Sequence, residues 1–239
     1  MTDGRSEPLN SADPSLERVD DFLRPALVID ADHPEVVRFA QDKAGVDGSP
    51  RQRATRLYYA VRDGFRYDPY AIDLSDDGLK ASTVLRSGRG WCVTKSALLA
   101  AVCRAAGIPA RVGFADVRNH LSTERLRQTM QTDVFYWHGY TSIHLDGEWR
   151  KATPAFNIEL CQRFALQPLE FDGSADSIYH PHDLHGNRHM EYLRLRGEFF
   201  DVPTQALRAG FEQHYPTMQR LDSVSFDDDV QRETASLHQ

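Results

Sequence analysis

Between two polar ends, stretches of helical and strand periodicity alternate along the chain. His33-Pro34-Glu35 opens a helix through Val36, Val37, Phe39 and Ala40 that ends near Gly45, with proline at the first turn. A second helix is predicted from about Arg51 to Gly64, where Ala54, Leu57, Tyr58 and Val61 fall at three- and four-residue spacing. Phe65-Arg66-Tyr67-Asp68-Pro69 breaks it. After a loop marked by Gly88 and Gly90, an alanine- and leucine-rich helix runs from about Cys92 to Ala106. Leu98, Leu99, Val102 and Ala106 form its buried stripe, Gly107 caps it, and Pro109 prevents its continuation.

Ala110 to Val117 then reads as a strand. The polar insertion from Arg118 to Asp133 holds too few large apolar residues to be core. A lid over an active site and a solvated excursion both fit it. Val134 to Leu145 is a strand, Asp146-Gly147 a hairpin turn, and Trp149 to Thr153 the returning strand. A long helix feeding an antiparallel sheet predicts an α+β domain. The expected division is a flexible tail over 1–20, one domain over 21–215 and a polar tail over 216–239.

Composition narrows the function classes. The 239 residues carry 41% hydrophobic and 26% charged residues and a net charge of −7, enough apolar material for a core. The acidic balance excludes a sequence-independent nucleic-acid binder, which needs a basic surface. No apolar run approaches the length of a membrane span. The polar, acidic opening residues do not form a signal peptide, so a cytoplasmic location is expected. Three cysteines, Cys92, Cys103 and Cys161, do not read as a disulfide framework. On one helix, Cys92 and Cys103 would stand roughly 16 Å apart, beyond the reach of a bridge.

Cys92 stands at the first turn of its helix, directly after a glycine-containing loop. There the unpaired N–H groups and the positive end of the helix dipole favour an anion, which predicts a lowered thiol pKa and donors for an oxyanion. Taken alone, a free cysteine is more often a small buried hydrophobe; Cys103 and Cys161 are assigned to that class. A thiolate needs a base. In the strand His138-Gly139-Tyr140-Thr141-Ser142-Ile143-His144, alternation puts His138, Tyr140, Ser142 and His144 on one face. If the hairpin closes over two residues, Thr153 lies on His138's face, one diagonal step away. At least one of the aromatics Phe135, Tyr136 and Trp137 is expected to wall the cleft.

Gly90-Trp91-Cys92, Arg104-Ala105-Ala106-Gly107-Ile108-Pro109-Ala110-Arg111, His138-Gly139-Tyr140 and Gly147-Glu148-Trp149 together resemble the transglutaminase-like superfamily of papain-fold thiol enzymes. That pattern is a Gly-x-Cys heading a helix, an R-x-x-G-I-P-A-R helix exit, a His-x-aromatic strand, and a tryptophan followed four residues on by aspartate. The resemblance spans about residues 55 to 157. It implies a papain-like α+β core with Cys92 as nucleophile and His138 as general base, then acid. It also implies a peptide, protein or carrier-bound acyl substrate, with water or an amine as acceptor and no cofactor.

The sequence departs from the pattern at Thr153, where the family has aspartate. A hydroxyl can accept the imidazole N–H but cannot neutralise an imidazolium. Thr153 is the first choice for the third catalytic position, Asn157 an alternative, and a degenerate site that only binds peptides a third. His144 is read as structural or substrate-facing. The cluster His180-Pro181-His182-Asp183-Leu184-His185-Gly186-Asn187-Arg188-His189 is rich in metal-ligand types, but it lacks a supporting Cys pair or HExxH helix. It is read as a polar loop, and no metal is expected.

Overall fold

The computed structural model describes residues 18–119, 122–178, 190–217 and 224–235. A 3-10 turn, Val19–Leu23, leads into helices α1 (Pro34–Ala44) and α2 (Pro50–Gly64). His33 Nδ1 accepts the Glu35 N–H at the start of α1, and Ser49 and Gln52 form a reciprocal capping box on α2. There follow β1 (Arg66–Tyr67), α3 (Asp76–Leu79), α4 (Ala81–Ser87), β2 (Arg89–Gly90) and α5 (Cys92–Ala105). The second half holds β3 (Ala110–Asn119), α6 (Glu124–Met130), β4 (Val134–Leu145), β5 (Glu148–Ala152) and α7 (Ile158–Arg163). It closes with β6 (Met190–Phe199), α8 (Thr204–His214) and α9 (Phe226–Thr234).

The main sheet has the order β5-β4-β3-β6 and is antiparallel throughout, while β1 and β2 form a small parallel pair. Helix α5 lies against β4 with α1, α2 and α4 around it. It is therefore buried along its whole length from Cys92 to Arg104, not along one stripe as the period predicted, and Ala106 is only half-buried at its end. A helix surrounded by packing partners has no solvent face to mark with polar residues.

That environment makes Lys95 unusual. It is fully buried among the core residues of α5, and its Nζ donates to the carbonyls of Arg62 (2.9 Å), Phe65 (2.6 Å) and Ala155 (2.8 Å). Three donors meet three acceptors, so the ammonium ties the end of α2 and the segment after β5 to α5.

Two expectations are corrected. The insertion after β3 contributes α6, whose Leu126 and Met130 are buried, because the helix lays its two apolar residues inward. Within the stretch expected to be a polar tail, α9 buries Phe226 and Val230, four residues apart on one helix face. Its Asp229 accepts from Tyr70 Oη (2.8 Å) and Arg125 Nε (2.7 Å) and pairs with Arg232, and Glu233 accepts from the backbone N–H of Glu124. Helix α9 is thereby clamped to the start of α6. No helix among the described residues is long and apolar enough to cross a membrane.

Candidate active site

The loop into α5 is shaped by two glycines. Gly88 ends α4 in the left-handed region (φ 68°), which a side chain rarely adopts. Gly90 lies under Thr94: a Cβ there would come within 2.8 Å of Thr94 Oγ1, the atom that accepts the Trp91 N–H at 3.0 Å. The helix start is thus closed by its own threonine, and Cys92 projects from its first residue.

The backbone N–H groups of Gly139, of Val93 and of Cys92 itself stand near the sulfur and favour its charged form. Burial nevertheless pushes its thiol up to about 11, and the three N–H donors only partly offset this. The lowered pKa expected from the helix terminus is not found. With 5% of the residue exposed, losing water around the charge outweighs the donors. The resting group near neutral pH is a thiol, and attack requires a base that removes its proton. Cys103 on α5 and Cys161 on α7 are also buried and free, with burial driving each to about 12.

His138 is buried in β4 opposite Ala115 of β3. Just before it the strand is irregular. Trp137 has φ 62°, its N–H donates to Asp116 Oδ1 (3.2 Å), and the same oxygen takes Arg196 Nε (2.5 Å). This bulge shifts the β3–β4 register between Ala115 and Val117 and re-aims the strand as it reaches His138. Immediately after it, Gly139 presses on the start of α5: a Cβ there would stand 2.9 Å from Val93 Cα and 3.0 Å from the Cys92 carbonyl oxygen. The peptide that joins His138 to Gly139 is therefore docked on the first turn of α5, where Cys92 stands.

The hairpin closes over two residues as expected, with Asp146 (φ 52°) and Gly147 (φ 87°) both left-handed and Leu145 opposite Glu148. Pairing continues to Thr141 opposite Ala152. Thr153 follows with its N–H on Ser177 O (3.0 Å) and its carbonyl accepting Tyr58 Oη (3.2 Å). Its buried hydroxyl makes no hydrogen bond among the described residues, so the expected bond to His138 is absent. Asn157 is committed elsewhere: Oδ1 accepts the Tyr67 N–H (3.1 Å) and Nδ2 donates to Glu159 (2.6 Å). His144 packs edge-on against Trp149, ring centroids 5.2 Å apart, with the Arg111 guanidinium on the same indole; this is a structural position.

Cys92 lines a small, partly open apolar pocket. Tyr67, Pro69 and Ile72 form one side, Trp91 the floor beside Cys92, and Phe135 and Tyr136 of β4 another wall. Leu126 and Met130 of α6 close over it, and Phe211 and Tyr215 come from α8 and its end. The prediction that an aromatic before His138 walls the cleft thus holds for Phe135 and Tyr136. Trp137 is instead core, set edge-on to Phe114. Among the described residues, no Asp, Glu, Lys, Arg or His is part of the lining. Arg125 and Arg127 do not face it as anion ligands: Arg125 is paired with Asp229 and Arg127 with Ser122 O.

The sequence reading missed Tyr67, Leu126, Met130, Phe211 and Tyr215. Only the helical spacing of Leu126 and Met130 could have pointed to a packed face. The histidine cluster at 180–189 lies outside the described residues, and among the described residues no group of side chains is arranged to hold a metal ion.

The family model described as the transglutaminase-like superfamily matches residues 37–154, a span that contains Cys92, His138 and Thr153. Among solved structures, a candidate cysteine protease from Cytophaga hutchinsonii is similar at 15% identity and a TM-score of 0.46, covering 78% of this chain and 57% of that one. A candidate protease from Parabacteroides distasonis is similar at 20% identity and a TM-score of 0.38, covering 56% of this chain and 26% of that one. The chain thus spans little more than half the length of the first and about a quarter of the second. No curated protein matches it.

Proposed function

From the membership of residues 37–154 in the transglutaminase-like superfamily, we propose that the protein transfers acyl groups through a thioester on Cys92. The observation that carries this reading is the docking of the His138–Gly139 peptide on the first turn of the Cys92 helix, beside a pocket whose described lining has no charged side chain. In the proposed reaction Cys92 Sγ attacks the carbonyl carbon of an amide or thioester while His138 takes the thiol proton. The Gly139, Val93 and Cys92 N–H groups near the sulfur favour the thiolate as it forms. The carbon–nitrogen or carbon–sulfur bond to the leaving group then breaks, and His138 returns the proton to that group. Water or an amine releases the acyl group in the second half, so the overall reaction is hydrolysis or transamidation. The Thr153 hydroxyl does not bind the imidazole, and the reaction is proposed without it.

A second reading has support of its own. A thiol raised to about 11 and an idle Thr153 hydroxyl suit a binding module that has lost its chemistry. The deciding experiment follows intact mass after incubation with p-nitrophenyl acetate, with the modified residue located by peptide mapping. Wild type should gain one acetyl group on Cys92. Cys92→Ser should gain none there, and His138→Ala should acylate at least a hundredfold more slowly, within the usual range for loss of a general base. Failure of wild type to acylate Cys92 overturns the enzyme reading in favour of the binding module.

A further inference from the structure

Next to the Cys92 pocket lies a second small apolar pocket. Three side chains, Tyr67, Leu126 and Phe135, belong to the walls of both. Beyond them the second cavity is lined by Phe156, Leu160, Phe164, Leu166 and Phe226, with Asn119 and Ser122 as its polar members. Among the described residues, neither pocket has a charged side chain in its lining. Apolar cavities in a closely packed interior cost stability unless function retains them. Here one opens on a nucleophile and the other continues from it.

We propose that the two cavities form one acyl tunnel, and that the donor carries a long, unbranched, uncharged hydrocarbon acyl chain. The inference rests on Cys92 being the acyl acceptor. The carbonyl sits at Cys92, the first carbons lie between Trp91, Phe135 and Met130, and the chain passes Tyr67 and Leu126 to end against Leu166 and Phe226. Tyr67 is the gatepost. Its backbone is fixed by Asn157, and its ring is wedged edge-on against Phe156 (4.8 Å) and Phe226 (5.9 Å), so the passage runs beside a side chain that cannot swing freely. A charged donor such as a dicarboxylate or a basic peptide side chain would lose its hydration with no partner in exchange. A hydrocarbon chain gains from the same burial.

The test compares Cys92 acylation rates from p-nitrophenyl acetate, butyrate, octanoate and dodecanoate, corrected for each ester's spontaneous hydrolysis. In each case the Sγ–carbonyl bond forms, the carbonyl–oxygen bond to nitrophenolate breaks, and the thiol proton leaves through His138 to the phenolate. Rates should climb from acetate to octanoate by up to about fourfold per buried methylene. Leu166→Trp fills the far cavity and should lower the octanoate-to-acetate ratio at least tenfold. Phe164→Ala enlarges it and should move the optimum to dodecanoate, which keeps the test open if the tryptophan variant does not fold. Acylation by acetate with a flat or falling chain-length profile overturns the tunnel and leaves the acyl-thioester reading standing. A ratio unmoved in the folded variants does the same. No acylation from any ester overturns both.

Discussion

Gly139→Ala adds one methyl group at the point where strand and nucleophile meet. Its Cβ would lie 2.9 Å from Val93 Cα and 3.0 Å from the Cys92 carbonyl oxygen, against about 3.4 Å where ordinary contact begins. Both neighbours are backbone in the first turn of a buried helix, so neither can rotate aside, and β4 and α5 must separate by about 0.5 Å. Two effects oppose each other in stability. Gly139 is not in the left-handed region, so alanine is allowed there and gains about 0.4–1 kcal/mol by restricting the unfolded chain. Overpacking a rigid interior costs about 1–3 kcal/mol. The clash wins, and the melting temperature should fall by about 2–8 °C for a chain of this size. The chemical effect is larger in proportion. A misplacement of about 1 Å can cost a hundredfold in rate, so half of that should slow Cys92 acylation roughly tenfold. Gly139→Val pushes two further methyl groups onto the same backbone and should slow it beyond a hundredfold. Thermal melts and acetyl ester kinetics on the three proteins measure both effects. An alanine variant that melts at or above wild type and acylates within twofold of it would refute the close-contact account of the site.

Three other outcomes follow from buried polar groups. Thr153→Val replaces an idle buried hydroxyl with a methyl group of similar shape, so it should leave acylation within twofold and raise stability by about 1 kcal/mol, read by urea unfolding. Lys95→Met strands the three carbonyls that its ammonium now satisfies; a loss of at least about 3 kcal/mol, a drop of 6 °C or more in melting temperature, is expected. Burial lowers folded Lys95 to about 7 from an ordinary 10.5, so above pH 7 the unfolded chain binds more protons there and this contribution to stability rises with pH. Cys92, Cys103 and Cys161 act in the opposite sense. Their raised folded values give a contribution that is complete below pH 9 and lost above it, so urea midpoints should rise from pH 7 and turn down beyond 9.

The elements around Cys92 and His138 were legible because each carries its own local signal. His33-Pro34 starts α1, Gly107 and Pro109 stop α5, and Asp146-Gly147 sets the hairpin register to the residue. What stayed hidden lacks such a signal. β6 is an edge strand with Leu193 and Leu195 exposed and arginine and glutamate between, so no apolar face announces it. Helix α9 has three consecutive aspartates and buries only Phe226 and Val230 as large apolar residues. Position along the chain singled out Cys92 and His138 as candidates, whereas the thiol's pKa depends on how deeply neighbours bury it. Alternation predicted Thr153 on His138's face, but β5 ends at Ala152 and the Thr153 N–H turns to Ser177, a departure that a period of two does not encode.

The clamp between α9 and α6 also orders events in time. Asp229 lies 104 positions beyond Arg125 in the chain. Synthesis therefore completes Cys92, the histidine strand and every described wall of the pocket before the residues that fasten its roof exist. A growing chain passes through a stage in which α6 can lie over Cys92 but nothing holds it there. Closing a loop of that span carries an entropic cost that local helices and the hairpin do not face, so the roof is secured late in refolding as well. Reactivity of Cys92 towards a small alkylating agent, followed during refolding, would then peak before the native state is reached and decline as the clamp forms.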